Sequence, residues 1–136
     1  MIANSSNVIV NGGTFDLGGY SDTVAAVTVG ANGGSISSST GVLTGSSYTF
    51  NNTSPALISA RLAGSGSLTQ AGSGTTTLSG SNSYSGGTFL NAGTLMVAAD
   101  ANLGSASGAI TFNGGTLNST ASFTISATRA ITLLGN

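Results

Sequence analysis

Lysine, glutamate, histidine, cysteine and tryptophan are absent from this chain of 136 residues, and charged residues make up only 4% of it. The complete charged set is Asp16, Asp22, Asp100, Arg61 and Arg129. Without lysine and glutamate, the chain lacks strong helix formers and the charge pairs that stabilise helix surfaces. Threonine, serine, asparagine and glycine dominate instead, and they favour strands and turns. The composition therefore predicts an all-β protein.

The same absences remove most catalytic and metal-binding chemistry. Without histidine or cysteine, no serine or threonine has its usual partner base, and zinc lacks its usual ligands. Asp16 and Asp22 are the only near pair of carboxylates, and we interpret each as a solvated turn acid. Residues 18–22 come closest to a calcium-binding β-roll repeat, but their spacing is wrong. We predict no catalytic, cofactor-binding or metal-binding residues, and we assign no ligand-binding residue.

The low charge of the chain also indicates whether it is ordered and whether it binds nucleic acid or membranes. Glycine and serine are typical of flexible linkers, but 39% of the residues are hydrophobic and there is only one proline, Pro55. Disordered chains usually combine low hydrophobicity with high net charge. The net charge here is -1, which gives no electrostatic reason to bind nucleic acid or an anionic membrane. We expect an ordered chain with neither of those partners.

The N-terminus lacks the features of a signal peptide. Residues 1–6 have neither a basic start nor an apolar stretch, and the longest apolar run, at residues 24–27, is too short to span a bilayer as a helix. The absence of cysteine excludes a disulfide-stapled miniprotein, yet it suits export of an unfolded chain. We interpret residues 1–136 as a single segment of a longer protein, with no membrane insertion of its own.

In place of these features the sequence has an internal repeat. A signature of Asn, Gly or Ala, Gly, then Thr or Ser begins at Asn11, Asn32, Asn91 and Asn113. The intervals are 21, 59 and 22 residues, and 59 is close to three intervals of about 20, within the range of solenoid repeats. Two further turns are therefore expected near Asn52 and at residues 71–72.

Within each period, apolar residues are spaced by two on both sides of the turn. This spacing places them on one face of a strand and their neighbours on the other. The residues expected to face outward are Thr14, Asp16, Thr94, Met96, Thr111 and Thr116. The predicted core consists of Val8, Val10, Phe15, Leu17, Val27, Val29, Ile36, Phe50, Ile58, Leu62, Leu68, Leu78, Leu90, Leu95, Val97, Ile110, Phe112, Leu117, Phe123, Ile125, Ile131 and Leu133.

Two folds are compatible with this pattern. Asn-Gly between apolar strands is a hairpin signal, so an antiparallel sandwich or barrel is one alternative. The recurrence of the apolar pairs instead favours coils that stack like on like. We predict a right-handed parallel β-helix (β-solenoid) of about six coils with a period of about 20–22 residues, roughly 30 Å long. The Asn-Gly pairs at Asn11, Asn32 and Asn113 are expected to adopt left-handed backbone.

One stretch of the sequence carries a longer and more specific motif than the other repeats. Between Leu68 and Val97 the chain has a Gly-x-Gly run, then Gly-x-Asn-x-Tyr-x-Gly, then Ala-Gly-Thr-Leu. This arrangement resembles the autotransporter-associated β-strand repeat of bacterial autotransporter passenger domains. Gln70 stands where that pattern has lysine and Thr76 where it has an inward leucine, so we expect looser packing there or a buried hydroxyl. Tyr84 is expected to pack at a coil corner.

The resemblance implies a passenger β-helix exported to the bacterial cell surface or beyond, whose membrane barrel is not in this chain. Our leading hypothesis is a rigid stalk without catalysis, structural or adhesive, with a ligand on a host or neighbouring cell. The alternative is end-to-end stacking into extracellular fibres through exposed coil ends, because neither end shows a charged gatekeeper or helical cap. A polysaccharide-active enzyme that uses Asp16 or Asp22 is the third hypothesis.

Overall fold

The computed structural model describes residues 1–135, which wind through sixteen short strands and one turn of 3-10 helix at Asp100–Leu103. In chain order the strands are β1 (Val8–Val10), β2 (Thr14–Asp16), β3 (Asp22–Thr23), β4 (Ala26–Val29), β5 (Gly34–Ser37), β6 (Val42–Thr44), β7 (Ser47–Phe50), β8 (Ala56–Ile58), β9 (Arg61–Ala63), β10 (Leu68–Gln70), β11 (Thr75–Leu78), β12 (Thr88–Leu90), β13 (Thr94–Val97), β14 (Ile110–Phe112), β15 (Thr116–Ser119) and β16 (Ile131–Leu133). Strands this short, separated by glycine-rich turns, suit a chain that changes direction several times in each coil.

Strands from successive coils pair to form three sheets. Sheet A has seven strands in the order β1-β4-β7-β10-β12-β14-β16, and sheet B has six in the order β2-β5-β8-β11-β13-β15. Sheet C contains only β3, β6 and β9. All strand pairings among residues 1–135 are parallel. The predicted β-solenoid of about six coils is therefore confirmed, and the antiparallel alternative is excluded.

The register places equivalent residues directly above one another. Val27 pairs with Tyr48, and Tyr48 pairs with Leu68. Partners in sheet A are as few as 19 residues apart, at Val8 and Val27, and as many as 22, at Thr88 and Ile110. The turns between the strands absorb this variation. The two turns expected near residue 52 and at residues 71–72 lie between β7 and β8 and between β10 and β11.

The inward columns of the sheets form one continuous apolar core. Most of the predicted core residues are buried, and Val8, Phe15, Phe112, Leu117, Phe123 and Ile125 are partly buried against them. Tyr84, expected to pack at a coil corner, is buried in this core, which also contains residues that the sequence pattern missed: Val24, Leu43, Tyr48, Ala56, Ala60 and Leu103. Ile131 and Leu133 were wrongly predicted as core, since they are 52% and 79% exposed. They lie on β16, which pairs on one side only within the described residues.

Glycine provides the left-handed backbone at the turns. Gly33 has φ +70°, and a Cβ there would lie 2.1 Å from the Pro55 carbonyl oxygen, so no other residue fits without strain. No non-glycine residue in the described part of the chain has positive φ. The expectation of left-handed backbone is therefore confirmed for the glycines and wrong for the asparagines. Asn11 instead accepts a hydrogen bond from the Asn32 amide of the next coil through Oδ1, at 2.9 Å.

Two adjacent residues on β8 allow a test of which strand face lies in the core and which faces solvent. Ile58 is fully buried, whereas Leu57 is 48% exposed on the opposite face. We expect Ile58→Ala to lower the free energy of unfolding by about 2–5 kcal/mol, because it leaves a cavity in the column. Leu57→Ala, the matched control, should change it by less than about 1 kcal/mol. Urea denaturation followed by circular dichroism measures both, and equal losses would contradict the assigned faces.

Candidate functional site

Residues 68–97, which contribute to two successive coils, carry polar side chains inside the core. Gln70, Thr76 and Thr88 are fully buried, at inward positions whose paired neighbours in adjacent coils are apolar. A polar group without a partner in such a place costs about 1–3 kcal/mol. The hydrogen bonds of these side chains therefore decide whether these coils are stable.

Gln70 and Thr76 converge on one asparagine of the preceding coil. Gln70 Nε2 donates to Asn52 Oδ1 at 3.3 Å and to the Gly72 carbonyl at 3.0 Å, and the Gly74 carbonyl lies 3.4 Å away. The Thr76 hydroxyl donates to Asn52 Oδ1 at 3.1 Å, which confirms the buried hydroxyl expected there. Gln70 Oε1 is buried and has no hydrogen-bond partner among the described residues. Three acceptors thus surround the position at which the resembled pattern has lysine.

On the third side of the solenoid, asparagine side chains take over from strand pairing. Sheet C ends at β9, and no strand follows above it in the described coils. Asn82 Oδ1 accepts from the Leu62 amide at 2.8 Å, and its Nδ2 donates to the Asn102 carbonyl at 2.7 Å. Asn102 Nδ2 donates in turn to the Gly80 carbonyl at 3.0 Å. These two carboxamides connect three successive coils where regular strands have ended, and they add to backbone hydrogen bonds such as that from the Ser83 amide to the Leu62 carbonyl at 2.8 Å.

Two tyrosines fill the interior at the corner beside sheet A. The rings of Tyr48 and Tyr84 lie 6.1 Å apart at a tilt of 53°, a favourable aromatic geometry. The hydroxyls of Tyr84 and Thr88 are hydrogen-bonded at 2.8 Å, and the Tyr48 hydroxyl donates to the Ala63 carbonyl at 2.6 Å. Burial raises the pKa of Tyr48 to about 12, and it raises the pKa of Tyr84 as well. Both are neutral packing groups, as expected for Tyr84 and missed for Tyr48.

The buried Gln70, Asn82, Tyr84 and Thr88 all lie within the residues that match a known repeat. Residues 68–97 match the passenger-associated-transport-repeat family model. The match confirms the resemblance to a repeat of autotransporter passengers over the same residues. Comparison with curated proteins gives no match, and comparison with solved structures gives none. No helix in the part of the chain that the structure describes is long and apolar enough to cross a membrane.

The coil that follows the transport repeat is held by a buried ion pair that the sequence pattern did not show. Arg129 Nε donates to Asp100 Oδ1 at 3.0 Å, and the Arg129 side chain is fully buried. Arg129 Nη1 donates to the carbonyls of Leu103, Ser105 and Gly108 at 2.9–3.0 Å. The hydrogen bond from Arg129 lowers the pKa of the Asp100 carboxyl below its usual value. Arginine thus closes the loop that precedes β14.

Far from the transport repeat, the structure brings Asp16 and Asp22 to one cleft at the N-terminal end. The cleft has a volume of about 300 Å³ and is also lined by Ile2 and Tyr20. Asp22 lies in β3 and pairs with Leu43, so its interpretation as a turn residue was wrong. Asp22 Oδ2 accepts from the Ile2 amide at 2.7 Å, which makes the carboxylate a backbone cap. Within residues 1–135 no group of three or more candidate ligands is placed to hold a metal.

A comparison of Arg129 with Arg61 measures how much the buried guanidinium contributes to the free energy of unfolding. We expect Arg129→Leu to lower the free energy of unfolding by about 3–5 kcal/mol, because it strands several buried carbonyls. Arg61→Leu removes the same charge from an exposed position, and a change within about 0.5 kcal/mol is expected. Thermal and urea denaturation of both variants measure these changes in the free energy of unfolding. A loss for Arg129→Leu no larger than that for Arg61→Leu would show that the network contributes nothing.

Proposed function

We propose that this chain is a segment of an exported bacterial passenger and serves there as a rigid β-helical stalk, without catalysis of its own. The observation that carries the proposal is the place of the transport repeat. Its strands β10–β13 pair in register with strands of the coils before and after them. The repeat thus occupies parts of two adjacent layers of a continuous rod, with β10 paired to β12 and β11 to β13, rather than forming a separate module on a linker.

The way the rod is built supports export of an unfolded chain. Each strand pairs only with strands of the coil before or after it, so coils are able to form one after another as the chain emerges. There is no cysteine to form a crosslink that would hinder passage. The buried polar groups of the repeat find their partners within the same coil or in an adjacent one, as Gln70 does with Gly72 and Asn52. Because these hydrogen bonds form within one coil or between adjacent coils, they suit folding by the addition of one coil after another.

A pair of spin labels tests both parts of the proposal. Thr14 and Asn118 are exposed and stand in the same outward column of sheet B, five strand steps apart. At about 4.8 Å per step, the Cα atoms should be about 24 Å apart. With cysteines at both positions, the chain is fused between a signal peptide and an autotransporter barrel. We expect labelling on intact cells by a membrane-impermeant reagent and a narrow distance distribution by pulsed electron resonance.

Two results would count against the stalk. Labels that react only after lysis would contradict export, and a distribution broader than about 10 Å would contradict a rigid rod, since an unfolded chain of this length spans far more. A single-cysteine variant at Thr14 serves as the control for labelling without a distance. Failure of export and failure of rigidity are thereby separated.

Adhesion is a second role that we propose for the same segment, and the outer face of sheet A favours it. Phe89 is 37% exposed there, between Thr69 and Thr111 of the paired strands. The strands of sheet A that the structure describes contain no charged residue. An exposed ring among hydroxyls on an uncharged face suits a neutral glycan, whose apolar ring faces pack on aromatic side chains.

A panel of glycans and matrix proteins tests this role. We expect binding of neutral glycans that Phe89→Ser weakens at least tenfold. Leu57→Ser removes an exposed apolar side chain from sheet B instead and should leave binding unchanged. If no glycan or matrix protein of the panel binds, adhesion is contradicted and only the role of a scaffold remains.

A further inference from the structure

The outward face of sheet A carries a column of threonines that crosses the paired strands. In the register of the sheet, the middle outward residues of successive strands lie directly above one another. This outward column consists of Thr28, Thr49, Thr69, Phe89 and Thr111. All five residues lie on strands that are paired on both sides, so the column belongs to the body of the rod. Its neighbouring members are one strand spacing apart, about 4.8 Å.

The four threonine hydroxyls of the outward column are available to a ligand. All four side chains are partly exposed. The hydrogen-bonded threonine hydroxyls within residues 1–135 lie elsewhere, for example at the inward Thr76 and Thr88, so those of the column remain free. Threonine is stiff about χ1 because its Cβ is branched. The hydroxyls are therefore held in place before a ligand arrives, which lowers the entropy cost of binding.

A rank of asparagines runs beside the outward column, two residues further along the chain. Its members are Asn51, Asn91 and Asn113, and all three are exposed. Their backbone amides donate to carbonyls of the preceding coil at 2.8–2.9 Å, so the strand ladder continues through them. Residues two apart in a strand lie on the same face. Each carboxamide therefore flanks the column and offers both a donor and an acceptor.

The other side of the outward column is low, and the face is uncharged. Two residues before each member the chain has only small residues: Ala26, Ser47, Ser67, Gly87 and Ala109. Neither the strands of sheet A that the structure describes nor the residues directly beside them carry a charge. A ligand is therefore able to reach the hydroxyls from this side without a steric barrier, and no fixed charge favours an ionic one.

We propose that this face binds an extended, neutral, β-1,4-linked polysaccharide whose chain runs along the axis of the solenoid, with one sugar residue over each coil. Such a chain advances by nearly the strand spacing for each residue. Phe89, which is 37% exposed, packs against one sugar ring, while threonine hydroxyls and asparagine carboxamides bond to the neighbouring sugars. A protein partner would instead need an apolar centre, and Phe89 is the one large apolar side chain of the column.

The proposal rests on the adhesive role proposed for Phe89 and adds the shape and direction of the ligand. Titration calorimetry with β-1,4-linked oligomers of glucose, xylose, mannose and N-acetylglucosamine, from two to six residues long, tests it. In at least one series the affinity should rise at least about tenfold from dimer to hexamer, because each added sugar reaches another coil. Oligomers of α-1,4-linked glucose, which coil instead of extending, are the control and should gain no affinity with length.

The length series separates the two proposals. Equal affinity for dimer and hexamer, lost in Phe89→Ser, would overturn the extended ligand and leave the glycan site at Phe89 in place. If no oligomer of any length binds, both the extended ligand and the glycan site are overturned.

A variant remote from the aromatic ring tests the column itself. Thr49→Val keeps the branched shape but removes a hydroxyl two strands away from Phe89. It should weaken binding of the hexamer at least about threefold and leave that of the dimer unchanged. Thr77→Val, the matched control, removes a partly exposed outward hydroxyl from sheet B and should change neither. Unchanged hexamer affinity in Thr49→Val, with a native circular dichroism spectrum, would contradict contact along the column.

Discussion

Parallel pairing of each coil with the next is the constraint on which the rest of this structure depends. Because the register sets like above like, every position of the repeat becomes a column, and a residue type is tolerated only if it tolerates copies of itself 4.8 Å away. A column of lysine or glutamate would be a line of repelling charges. Valine, isoleucine and leucine inside, with threonine and asparagine outside, avoid that cost. The near absence of charge in the sequence follows from this geometry.

Where regular strand pairing stops, side chains add hydrogen bonds to those that the backbone makes between coils. Asn82 and Asn102 connect coils where sheet C has ended, and Arg129 closes the loop before β14 with one guanidinium and several carbonyls. Asn52, in the coil below, accepts hydrogen bonds from Gln70 Nε2 and from the Thr76 hydroxyl. Each compensation reaches a neighbouring layer and goes no further. The transport repeat therefore adds buried polar contacts to a largely apolar interior, and its strands keep the parallel register of the other coils.

The sequence predicts those structural features that arise from the periodic spacing of its residues. Val27, Val29 and Ile58 follow from a spacing of two within a strand and about 21 between coils, and the glycine turns follow from the Asn-Gly signature. Residues whose environment depends on pairing of irregular segments were missed. Asp100 and Arg129 are 29 residues apart, which is not the period, because both lie in loops that leave the regular path. Tyr48 looks like a surface residue until its register with Val27 and Leu68 is known. The opposite error, at Leu133, arose because periodicity does not show that β16 pairs on one side only within the described residues.

The direction of the hydrogen bonds between coils has a mechanical consequence. They run along the axis of the solenoid, so tension applied between its ends opens one layer at a time instead of shearing many bonds together. A coil of 21 residues contributes about 4.8 Å to the folded length but about 70 Å when extended. A solenoid pulled at its ends thus lengthens roughly fifteenfold as its coils open one after another. Stretching it therefore takes up mechanical work in many small steps.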